Sequence, residues 1–119
     1  MKALIVDDSK VMRTMIQKGL RQAEYVCEVV EAGDGIEALA KLDASIDVVL
    51  LDWKMPNMDG IEFIQKTRKS GNNVPIMMIT TEGAEDRVAE AMKEGANGYI
   101  IKPFTAEKIK EKLKDILKG

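Results

Sequence analysis

The chain has 119 residues, 45% of them hydrophobic, enough for one domain with one core and too few for two ordinary ones. Eighteen basic against twenty acidic side chains leave a net charge of -2, so no strong positive field recommends nucleic acid or an anionic membrane as a partner. Cys27 is the single cysteine, which rules out an internal disulfide, and histidine is absent, which removes the commonest general base and any phosphohistidine on this chain. The N-terminal apolar run is far shorter than a signal-peptide core, and no segment approaches the roughly 20 apolar residues that span a bilayer, so a cytoplasmic protein is expected.

In chain order, Ala3 to Val6 is too short and too uniformly apolar for a helix and predicts a strand covered on both faces. It stops at Asp7 and Asp8. Ser9 can cap a helix running to about Gln22, with Met12, Ile16 and Leu20 turned to the sheet. Cys27 to Ala32 is interrupted by Glu28 and Glu31, as suits an edge strand protected by charge. Asp34 followed by Glu37 resembles a capping box and opens a helix with Ile36, Leu39 and Leu42 as its apolar positions. Val48 to Leu51 is a second fully apolar run, and Asp52 ends it. Gly60 begins a helix carrying Ile61 and Ile64 that stops near Ser70, Gly71, Asn72 and Asn73. Ile76 to Ile79 runs into Thr80. A helix from about Ala84 to Glu94 turns Val88, Ala91 and Met92 inward on a thin stripe and ends at Gly95. Tyr99 to Ile101 runs into Lys102. Thr105 opens the last helix, with Ile109, Leu113, Ile116 and Leu117 packed inward and Lys110, Lys112, Lys114 and Lys118 left to solvent.

Five strands alternating with five helices, with short connections and no repeat, predict one α/β domain over residues 1–119. It is a doubly wound (βα)5 three-layer sandwich with a parallel five-stranded sheet in the order 2-1-3-4-5. In that order the first and third strands flank the switch-point crevice, and both end in aspartate. Asp7, Asp8 and Asp52 therefore converge on one rim. Like charges at roughly 4 Å repel by about 4 kcal/mol per pair at an effective dielectric near 20, so a divalent cation is the natural compensator. Oxygen donors without histidine or thiolate select Mg²⁺ rather than zinc or copper. Thr80 and Lys102 bring a hydroxyl and an ammonium to the same rim, which completes a set suited to phosphoryl transfer.

Four segments carry a resemblance: Val6 to Ser9, Leu51 to Gly60, Thr80 to Glu82, and Gly98 to Phe104. Taken in order and at these intervals, they make the whole chain resemble the receiver domains of two-component response regulators, most closely the single-domain chemotaxis members. The resemblance implies that Asp52 accepts a phosphoryl group from a histidine of a partner kinase. It implies that Asp8, Asp52 and the backbone carbonyl of Lys54 bind Mg²⁺ directly while Asp7 holds it through water, and that Lys102 and Thr80 take the other phosphoryl oxygens. Tyr99 would then swing inward behind Thr80 and reshape the face of helix four, strand five and helix five for a target protein, the flagellar motor switch being one candidate. On this likeness the chain is a monomeric signalling switch, not an enzyme on a separate substrate. The Lys102–Pro103 bond would be cis, where trans is the default from sequence alone.

Three departures from the chemotaxis pattern stand out. Lys54 replaces an asparagine and could reach Glu82, obstructing the attacking water and altering the lifetime of the phosphoryl group. Thr81 replaces an alanine and narrows the inward path of Tyr99. Ala84, Glu85 and Asp86 make the start of helix four more acidic, so binding to the motor switch does not follow from the likeness. Trp53, the lone tryptophan, would report on the site by fluorescence, and the eight methionines are most simply core filling. Rival readings fit less well. A haloacid-dehalogenase-type phosphatase wants an aspartate two positions after the nucleophile, where this chain has Lys54. A flavodoxin-like cofactor binder wants a phosphate loop where Asp7 and Asp8 would repel phosphate. A receiver excised from a longer regulator is the nearer alternative, against which the Met1 start and a last helix closing at Gly119 favour a single-domain protein.

Overall fold

Each apolar run forms a strand of one parallel sheet, and the two runs that end in aspartate lie side by side in it. The computed structural model describes residues 1–117. Its elements are β1 (Lys2–Val6), α1 (Lys10–Gln22), β2 (Glu28–Ala32), α2 (Gly35–Lys41), β3 (Val48–Leu51), α3 (Gly60–Lys69), β4 (Ile76–Thr80), α4 (Glu85–Glu94), β5 (Gly98–Ile101) and α5 (Ala106–Ile116). The order is β2-β1-β3-β4-β5, as the alternation predicts.

Because strand side chains alternate between faces, the apolar runs supply two cores. Leu4, Val6, Val49, Leu51 and Met78 meet Ala38, Phe63, Ile64 and Ala91 from α2, α3 and α4. Ala3, Ile5, Val48, Leu50, Met77 and Ile79 meet Ile16, Leu20, Ile109 and Leu113 from α1 and α5. The helices opened by Ser9, Asp34 and Thr105 start where those residues predict, and α3 starts at Gly60 with Asp59, a cap the sequence reading does not name, before it. Ser9, Asp34, Asp59 and Thr105 each accept a backbone N–H of the first turn through the side chain.

Several details differ from the sequence pattern. Ile36 is 55% exposed, and α2 instead packs through Gly35 and Ala38, with Leu42 half-buried at the cap. Gly35 lies close against the β3–α3 loop, where an added Cβ would be 2.7 Å from Met58 Cγ and 2.8 Å from the Met58 carbonyl oxygen. The capping box is also displaced, because Glu37 Oε1 accepts from the Gly33 N–H rather than from that of Asp34. Met92 is 43% exposed, leaving Ala91 as the one buried residue of α4. Ile116 and Leu117 are half-buried against the second core, and Lys118 lies outside the described residues. The Lys102–Pro103 peptide is cis, as the family likeness implies and against the default.

Candidate functional site

Sheet register builds the site. Val6 is paired with Leu51, so the residues that follow, Asp7 and Asp52, leave neighbouring strands at the same level. Asp7 N–H donates to the Ala32 carbonyl at 3.1 Å and Asp52 N–H to the Val6 carbonyl at 2.9 Å, which fixes both backbones at the rim. Across β4, Thr80 is paired with Ile101, and Lys102 N–H donates to the Thr80 carbonyl at 2.8 Å. All five rim residues named from the sequence are thereby brought to one end of the sheet.

The carboxylates converge: one oxygen from each of Asp7, Asp8 and Asp52 lies within 4.8 Å of the others. Asp7 is buried, Asp8 is exposed, and the Asp52 side chain is 13% exposed. Lys102 Nζ lies 2.9 Å from Asp7 Oδ2 and 3.4 Å from Asp52 Oδ2. Three carboxylates against one ammonium leave the group with excess negative charge. The strain registers on Asp52, whose pKa is raised by burial above all, opposed by Lys102, reinforced by Asp7, and eased slightly by the Trp53 amide and the Thr80 hydroxyl. Ligand oxygens around one Mg²⁺ are at most about 4.2 Å apart, so this all-oxygen cluster fits a small hard cation after modest side-chain adjustment.

Around the cluster, Trp53 N–H donates to Asp52 Oδ1 at 2.7 Å. Thr80 is buried, and its Oγ1 accepts the Glu82 N–H at 3.3 Å, which leaves its own proton free to donate elsewhere. Lys54 does reach Glu82, with Nζ 2.7 Å from Oε1, although the lysine side chain is 79% exposed. That ammonium is the chief cause holding the Glu82 carboxyl below its ordinary range. Tyr99 is half-buried and donates its hydroxyl to the Glu82 carbonyl at 2.5 Å. Burial first, then the charges of Glu82 and Asp52, push its phenol up to about 12. The Arg87 guanidinium lies 5.5 Å from the centre of the Trp53 ring.

One supporting residue escapes the sequence reading. Arg13, only 16% exposed in its side chain, donates to the Asp7 carbonyl at 2.6 Å and to Glu31 at 2.9 Å, tying the β1–α1 junction to β2. Its one sequence signal is its place between Met12 and Ile16, next to the sheet-facing stripe of α1.

This fold and rim belong to a known class. The chain is a member of the response regulator receiver domain family, whose profile matches residues 3–114. Its relatives place it further, with the CheY-type receivers of bacterial chemotaxis. Chemotaxis protein CheY1 of Helicobacter pylori is 46% identical over 121 residues, covering 98% of this chain and 97% of that protein. Chemotaxis protein CheY of Pseudomonas aeruginosa is 40% identical over 119 residues, covering 98% and 95%. Among solved structures, Vibrio cholerae chemotaxis protein CheY4 matches with a TM-score of 0.84 at 40% identity, over 97% of both chains. A chain of the CheX–CheY–BeF3–Mg complex of Borrelia burgdorferi matches with a TM-score of 0.87 at 30% identity, covering 95% of this chain and 86% of that one. The family places the chain in two-component signal transduction, and receivers of this type are signalling proteins rather than enzymes on a separate substrate.

Proposed function

We propose that the chain is a one-domain, phosphorylation-dependent switch of chemotaxis signalling in which Asp52 is the phosphoacceptor. The convergence of Asp7, Asp8 and Asp52 around a lysine that bridges two of them carries this reading. The partners it requires are a histidine kinase as donor and a target that distinguishes the phosphorylated form, both in the cytoplasm. Asp8, Asp52 and the Lys54 carbonyl would hold Mg²⁺, with Asp7 behind them through water. When bound, the ion supplies neutralisation of the carboxylates and of the charge on the transferred oxygens.

The remaining chemistry belongs to side chains. The bond between phosphorus and the donor imidazole breaks while one forms to an Asp52 carboxylate oxygen. Partial burial of Asp52 has already removed hydration that an attacking carboxylate must shed. Lys102 moves from bridging two carboxylates to holding a phosphoryl oxygen, and the free Thr80 proton donates to another. A phosphoryl group adds nearly two negative charges and three acceptors, which draws Thr80 toward Asp52 and frees the space behind it for Tyr99. The output face would be the groove of about 350 Å³ between α4, β5 and α5, lined among others by Val88, Tyr99, Phe104 and Lys108. The Lys54–Glu82 pair stands where hydrolytic water would approach, so autodephosphorylation is expected to be faster in Lys54→Ala and Glu82→Ala. Unchanged rates in both would remove that role. A phosphatase reading lacks its acid, since the residue two after Asp52 is a lysine engaged with Glu82.

Beryllofluoride with Mg²⁺ should change Trp53 emission in wild type and leave Asp52→Asn unaffected, and should make the wild type capture a partner that the unliganded protein does not. Emission indifferent to the mimic in wild type would refute the reading.

A further inference from the structure

The loop between β3 and α3 begins at Asp52, and its far half is fastened to the opposite wall of the crevice. Asn57 Nδ2 donates to Asp34 Oδ2 at 2.7 Å, and the Gly35 N–H donates to the Met58 carbonyl at 3.0 Å. Asp34 is itself oriented by its other oxygen, which caps α2 through the Glu37 N–H at 2.8 Å. Asn57 holds φ at 67°, a left-handed conformation that asparagine tolerates and few other side chains do. Neither residue belongs to the carboxylate cluster or pairs with its charges. Nor does the Asn57–Asp34 bond cap α3, which Asp59 does by accepting from Glu62.

We propose that Asp34 and Asn57 are positioning residues, a clasp that presets the β3–α3 loop so that the Lys54 carbonyl already faces the carboxylates. The clasp rests on the metal-binding reading of the site. An unclasped loop would have to be ordered as the cation binds, and that lost freedom would be subtracted from affinity. Side chains that never touch the ion thus set part of its affinity, as outer partners of metal ligands do generally.

The test is a Mg²⁺ titration of the whole chain followed by Trp53 emission. Asn57→Gly keeps the left-handed backbone and removes the amide, while Asn57→Asp sets two carboxylates face to face. The double variant Asp34→Asn/Asn57→Asp exchanges donor and acceptor, retains a capping residue at position 34 and keeps the net charge of wild type. Both single variants are expected to bind Mg²⁺ about fivefold more weakly, the factor one ordinary hydrogen bond carries, and the exchanged pair to return to within about twofold of wild type. In metal-free protein, the amide hydrogens of Lys54, Met55 and position 57 should exchange faster in the single variants and at the wild-type rate in the exchanged pair. Single variants with wild-type affinity, or a weakening that the exchanged pair does not restore, would overturn the clasp alone. A wild type whose emission ignores Mg²⁺ would overturn the metal reading and the clasp with it.

Discussion

Helices α3 and α4 have the same length, ten residues each, and opposite attachments. α3 starts from a side-chain cap at Asp59 and buries Gly60, Ile61, Phe63, Ile64 and Thr67. α4 starts at Ala84 with no side-chain cap and buries Ala91 alone. Both begin beside the same acidic rim. On the proposed function the two helices would do different work: α3 would anchor the loop that carries the phosphoacceptor, and α4, with one buried residue, would be the element free to move when the rim changes charge. Elements that move in signalling are drawn from the low-stability end of a fold, and a helix with one buried residue has little to lose.

Truncation should expose this contrast most strongly. Phe63→Ala removes the largest fully buried side chain and is expected to cost about 3–5 kcal/mol, against under about 1 kcal/mol for Val88→Ala on α4, both read from urea unfolding. Equal losses would erase the distinction. Gly60→Ala comes next, because an added Cβ would collide with the Asp52 carbonyl oxygen where α3 meets the acceptor loop. About 2 kcal/mol of destabilisation is expected there, with a measurable fall in Mg²⁺ affinity as the loop is displaced. Ala84→Ser supplies the missing cap and should stabilise the protein by about 0.5–1 kcal/mol, with slower amide exchange along α4. Unaltered exchange would show that fraying at that end is not what loosens the helix.

The smallest effect concerns charge at the root of the anchored side. Burial and Asp7 raise the Asp52 pKa, so its folded-state value lies above the unfolded one and the charged form is the disfavoured one. The stability linked to this group is fully present below the unfolded pKa and is lost as pH rises through the folded value. Metal-free Asp52→Asn should therefore be more stable than wild type at neutral pH, and the gap should close on acidification through the carboxylate range. A gap independent of pH would assign the difference to packing.

What the sequence discloses and what it withholds follow from the range of the forces involved. The rim is legible in the sequence because the polar residues that form it follow apolar runs, and parallel register then carries strand ends to one edge. Lys54 and Glu82 were legible as a pair because two neighbouring loop starts face each other across the crevice. Helical spacing names Ile36 and Met92 as inward positions, but it identifies an apolar face without showing which residues of that face meet the core; α2 meets it through Ala38, while Gly35 lies against Met58 of the β3–α3 loop. Arg13, and the bond from Asn57 to Asp34, join residues 18 and 23 positions apart through side-chain atoms, with no periodicity to announce them.

The most direct measurement is the mass of the purified protein after incubation with Mg²⁺ and a reactive small phosphodonor, with the modified residue located by peptide mapping. One phosphoryl group on Asp52, absent from Asp52→Asn, is the expected result. No gain in mass, or an equal gain in the asparagine variant, would contradict the assignment of Asp52 as the acceptor.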